Sequence, residues 1–171
     1  MGIVLQQSFK NTFIIFIGFA IGGINVLFLY THFLKAEYYG LVTFLLSSAN
    51  IIMPLLIFGI QNTIIKYYTS YTNKLDKDNF LITAVLLPLL IIIPLSFIGV
   101  LFYDYIATLL SKENIIIKKY TYLIFLISIF MGYFEVFYAW SRVHMKSVFG
   151  NFIKEVFARI KVKNTIKFQS A

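Results

Sequence analysis

Long apolar stretches alternate with short charged ones along this chain. Counted between bounding charges, residues 11–34 lie between Lys10 and Lys35, 38–65 between Glu37 and Lys66, and 79–103 between Asp78 and Asp104. A fourth apolar stretch begins at 120 and is interrupted by one carboxylate, Glu135. About 20 helical residues cross a hydrocarbon core of about 30 Å. The pattern therefore predicts an all-α fold with four transmembrane helices, over 12–33, 40–64, 80–103 and 120–140. The first stretch lacks a basic leader and a small-residue cleavage site, so it reads as a retained helix. Beyond the fourth, Val148, Phe149, Phe152, Ile153, Val156, Phe157 and Ile160 recur at a helical period. Lys146, Asn151, Lys154, Glu155 and Arg159 take much of the other side, which predicts an amphipathic helix over 146–160 lying on the cytoplasmic membrane face. Residues 161–171, KVKNTIKFQSA, form a polar, basic tail that frays.

Polar residues inside the spans fall on stripes. In the first, Asn11, Gly18, Gly22 and Asn25 share a face, with the Gly-x-x-x-Gly spacing that lets helices approach closely. In the second, Gly40, Thr43, Ser47, Asn50, Pro54 and Gln61 fall within about 100° of one another. Pro54 frees the carbonyl four residues back. In the fourth, Thr121, Ser128, Gly132, Glu135, Ala139 and Arg142 make one narrow stripe. The third span has no stripe; Pro88 and Pro94 predict a kinked helix with broad lipid contact. Each stripe has two readings, a helix–helix seam or the wall of a wet cavity. Glu135 shares this ambiguity: it pins packing or snorkels to the interface, or it lies on a transport pathway, the default suspicion for an intramembrane acid.

Composition settles the class. The 171 residues are 60% hydrophobic and 13% charged, against about 25% charged in ordinary soluble domains. So much apolar surface requires an integral membrane protein. The net charge of +8 comes from basic residues flanking apolar segments. Anionic lipid headgroups and topology account for it, and no nucleic-acid partner is expected. With the N-terminus inside, the cytoplasmic segments carry Lys10, Lys66, Lys74, Lys77, Arg142, Lys146, Lys154, Arg159, Lys161, Lys163 and Lys167. The outer loops carry Lys35, Lys112, Lys118 and Lys119, so both ends read as cytoplasmic. There is no cysteine, and the two histidines, His32 and His144, lack zinc-site spacing. Phosphate-binding loops, nucleophile elbows and paired catalytic carboxylates are also missing from the sequence. No enzyme activity, catalytic residue, metal or cofactor is expected.

The chain also resembles a known family. The likeness is carried by Gly2-Ile3-Val4, Gln7-Ser8 and Lys10-Asn11-Thr12, then by Gly18, Gly22, Asn25, Phe33-Leu34 and Glu37-Tyr38-Tyr39-Gly40-Leu41. It continues through LLSSAN at 45–50, Met53-Pro54-Leu55, Phe58-Gly59, Gln61-Asn62-Thr63 and Lys66 into FEVFYAW and SVFGNFIKEV. These segments resemble the oligosaccharide-lipid (O-antigen and polysaccharide) flippases of the multidrug/oligosaccharidyl-lipid/polysaccharide exporter superfamily, over residues 1–160. The resemblance implies an N-terminal portion of a many-helix bundle that moves lipid-linked sugars across the bacterial cytoplasmic membrane by alternating access. Asn25, Asn50, Gln61, Asn62, Glu135 and Arg142 are then the substrate-pathway candidates. Membrane lipids and a lipid-linked oligosaccharide are the expected partners. Four helices do not enclose so large a headgroup, so self-association or pairing with missing C-terminal helices would complete the cavity. The alternative is a small oligomeric four-helix transporter or accessory membrane subunit.

Overall fold

The computed structural model describes residues 2–30, 32, 35–144, 146–157 and 159, and every regular element among them is helical. α1 (Ile3–Ile24) is prolonged by π-helical turns over Asn25–Tyr30. α2 spans Ala36–Ile57; α3, Ile60–Tyr67, runs into a 3-10 turn, Tyr68–Ser70. α4 spans Lys74–Leu101, α5 Tyr103–Leu110, α6 Ile116–Tyr120 and α7 Tyr122–Val143. α8, Ser147–Phe152, is prolonged by π-helical turns over Ile153–Phe157. Four segments are long and apolar enough to cross a membrane: Leu5–Phe28, Ala36–Ile57, Lys74–Leu101 and Tyr122–Val143. The chain has the make-up of a multi-pass membrane protein. It divides into two compact units, residues 40–143 and residues 1–39 with 144–171.

The 40–143 unit is held by two apolar clusters. In one, Ile57, Ile60 and Ile64 pack with Leu81 and Ala84 of α4 and Val136 and Ala139 of α7. In the other, Leu41 and Leu45 of α2 pack with Ile117 of α6 and Ile124 of α7. Leu41 therefore lies level with Ile124 and Ile57 level with Gly132, so α2 and α7 run in the same direction. α4 runs the opposite way: Leu81 joins the end that holds Ala139, while Gly99 faces the Phe125 ring nearer the start of α7. Three successive spans thus alternate in direction.

Asn73 starts α4 by accepting the Leu75 amide at 3.2 Å, a side-chain cap on an otherwise orphan donor. Within α4, only Leu81, Ala84, Pro88 and Ile92 are buried, one stripe of a helix whose remaining apolar surface is open. In water so much open apolar surface would drive aggregation, whereas a bilayer accommodates it. Pro88 and Pro94 both lie inside the continuous helix.

The expected 40–64 helix is interrupted. Phe58 and Gly59 take left-handed backbone angles, φ 49° and 69°, and end α2 before α3 begins. Glycine accepts this conformation freely, whereas at Phe58 it costs about 1–2 kcal/mol. The amides of Asn62 and Thr63 restart the helix on the Gly59 carbonyl. The break thus falls at Phe58 and Gly59, four and five residues beyond Pro54, which stays inside α2.

In the other unit, α1 and the segment 147–159 lie side by side. Asn11 Nδ2 donates to Ser147 Oγ at 3.1 Å, Gly18 abuts Glu155, Gly22 abuts Arg159, and Asn25 Nδ2 donates to the Arg159 carbonyl at 2.8 Å. Contact positions rise together in both segments, so the pairing is parallel and extends about 18 Å at 1.5 Å per residue. The segment expected as an amphipathic helix over 146–160 thus packs along α1. Of its apolar residues Val156 is buried, whereas Phe149, Phe152 and Phe157 stay exposed. Residues 31, 33, 34, 160 and the expected tail 161–171 lie outside the described residues.

Candidate functional site: polar positions in and beside the helix seams

The α7 stripe divides between a seam and its edge. Thr121, Ser128, Gly132 and Ala139 are all buried. Ser128 Oγ donates to the Ile124 carbonyl at 2.6 Å, with the Ala49 carbonyl of α2 at 3.3 Å. Thr121 Oγ1 donates to the Ile117 carbonyl at 2.9 Å. A Cβ at Gly132 would stand 2.5 Å from Ile57 Cγ2, so α2 and α7 meet where only a glycine fits. The hydroxyls satisfy themselves on backbone carbonyls, as an apolar seam requires.

Glu135 sits beside this seam, half-buried. It lies 2.5 residues from the midpoint of the Tyr122–Val143 span, about 4 Å at 1.5 Å per residue. Arg142 lies elsewhere. It is exposed, with its guanidinium 5.7 Å from the Tyr138 ring. Lys66 over Tyr67 at 5.2 Å and Lys77 over Tyr68 at 5.4 Å belong to the same end of the unit, where Tyr68, Trp140 and Val143 pack on one cluster. Lys119 over Tyr120 at 5.8 Å marks the other end. Amphipathic rings with basic partners at both ends are the make-up of membrane-interface belts.

The α2 stripe has a different fate. Gly40, Thr43, Ser47, Asn50 and Pro54 are exposed, and the buried residues are Leu41, Leu45, Ala49, Leu56 and Ile57. The stripe is not a seam within the described chain. Asn50 Nδ2 turns back to the Leu46 carbonyl at 3.0 Å. Gln61, just past the break, is half-buried, and its Oε1 is enclosed without a hydrogen-bond partner among the described residues. Asn62 beside it is exposed.

Asn25 belongs to the other unit, buried at the junction of α1 with its π-helical turns. Its partner there was not anticipated. Arg159 Nη1 donates to the Gly18 carbonyl, and Arg159 Nη2 pairs with Glu155 Oε2 at 2.8 Å. Their four-residue spacing is a helical ion-pair spacing legible in the sequence. The period of the apolar residues around them puts both on the polar side of that segment. Tyr30, just beyond the α1 span, is a phenol pushed up by burial first and by neighbouring Tyr39 second, with ring centroids 5.9 Å apart. Among the described residues no group of three or more His, Cys, Asp or Glu side chains could hold a metal. Comparison with protein-family models, curated proteins and solved structures finds no match.

Proposed function

We propose that this chain forms part of the wall of a polar transmembrane pathway for a lipid-linked oligosaccharide, as the N-terminal portion of a flippase in a bacterial cytoplasmic membrane. The observation that carries this reading is the exposed Thr43-Ser47-Asn50-Pro54 stripe on a spanning helix. Hydroxyl and amide groups facing hydrocarbon lose water without gaining partners. A stripe that is not spent on packing within the chain therefore suits a wet cavity. Sugar hydroxyls need such donors and acceptors, and half-buried Glu135 adds a carboxylate near mid-span. The segments resembling oligosaccharide-lipid flippases support the same reading, and further helices or further copies would close the cavity.

The test is export of surface polysaccharide in cells that depend on the protein, normalised to protein in the membrane. Asn50→Leu and Glu135→Gln are expected to insert normally and to impair export. Normal export with both variants would sink the pathway reading. Orientation is tested separately: a cysteine at Lys74 is expected to resist an impermeant thiol reagent applied outside, and one at Glu113 to react. The same stripe would serve as the contact of a small oligomeric transporter. Efficient disulfide formation between copies carrying Ser47→Cys would favour that second reading.

A further inference from the structure

The seam between α1 and residues 147–159 carries an inference independent of what the protein transports. Gly18 lies 1.5 residues from the midpoint of the Leu5–Phe28 span, about 2 Å along the helix. Beside it are the Glu155 backbone, the Glu155–Arg159 ion pair and the Arg159 guanidinium on the Gly18 carbonyl. The two glycines have different tasks. A Cβ at Gly18 would stand 2.6 Å from the Glu155 carbonyl oxygen, so Gly18 admits backbone. A Cβ at Gly22 would stand 2.7 Å from Arg159 Nη1, so Gly22 admits the guanidinium. Asn25 closes the far end by donating to the Arg159 carbonyl. π-helical turns occur at this seam on both partners and nowhere else among the described residues. Such widened turns are rare and gather at functional sites.

We propose that residues 147–159 pass into the membrane alongside α1, and that Glu155 and Arg159 form an intramembrane clamp that fixes the pairing. An ionised side chain at that depth is strongly disfavoured unless it is paired. Here the carboxylate neutralises the guanidinium, and the Gly18 carbonyl takes a further donor. The clamp explains how a segment with charges on one side tolerates the depth that its contacts with α1 give it. It acts as a register lock, because the ion pair meets α1 where glycines leave room and α1 supplies Asn25.

Two measurements on the full chain in liposomes test this. A depth-sensitive fluorophore on cysteine at Phe157, an exposed position flanked by the pair, is expected near the bilayer centre. Depth at the headgroup boundary would overturn insertion. The second measurement is disulfide yield between cysteines at Asn11 and Ser147, in a chain with no other cysteine. Glu155→Gln or Arg159→Gln alone should lower that yield about tenfold, because each leaves one uncompensated charge. The double Gln variant should recover most of it, since neither charge remains. Single variants that cross-link like the parent, or a double variant no better than the singles, would overturn the clamp.

Discussion

Both units close a helix–helix seam on glycines, by different chemistry. Between α2 and α7, Gly132 receives the Ile57 side chain and the Ser128 hydroxyl lies between the Ile124 carbonyl of its own helix and the Ala49 carbonyl of α2. No charge enters. Between α1 and the 147–159 segment, Gly18 and Gly22 receive a backbone carbonyl and a guanidinium, and an ion pair completes the contact. The first seam is dispersion and shape, so it tolerates no added volume. The second is largely electrostatic, so it tolerates small shifts of a flexible side chain but no lone charge. The same residue type thus marks two interfaces that should fail in different ways.

The strongest break of that contrast is Gly132→Leu. Its added atoms have no room beside Ile57, and overpacking should cost about 3 kcal/mol. Equilibrium unfolding in mixed micelles is the measurement, and Ile57→Ala in the same chain should restore part of the loss. Additive losses would show that the two side chains do not share one space. The glycines of the other seam sharpen the comparison. Gly18→Ala forces the Glu155 backbone to move and should cost about 1–2 kcal/mol. Gly22→Ala meets only the tip of Arg159 and should cost under about 1 kcal/mol. Equal losses would contradict the separate tasks assigned to them. Ser128→Ala is expected to cost about 0.6 kcal/mol, the scale of one interhelical hydrogen bond in a membrane protein.

The smallest effect concerns Tyr30. Burial first and Tyr39 second hold its phenol above the ordinary value of 10.0. The neutral form is therefore favoured in the folded state, and between pH 10.0 and the raised value the folded state binds more protons. Stability from this group is complete below the unfolded value and falls as pH rises past it. Tyr39→Phe should move the Tyr30 titration partway down, read by tyrosine ring carbon resonances. An unmoved titration would leave burial as its sole cause.

The apolar pattern by itself determined the class, the all-helical fold and the four spans, because hydrocarbon demands long runs of internally hydrogen-bonded apolar residues. It also found the Asn11-Gly18-Gly22-Asn25 face, since helical spacing alone puts those four residues on one side. What occupies that face was beyond the sequence. Periodicity is blind to partners 134 residues away, such as the Arg159 carbonyl on Asn25, and Glu155 and Arg159 read as the wet side of a surface helix. Likewise the stripes on the second and fourth spans look alike in sequence. Only packing decided that Ser128 and Gly132 close a seam while Thr43, Ser47 and Asn50 stay open. The physical reason is that burial belongs to pairs of surfaces, and one helix carries only half of each.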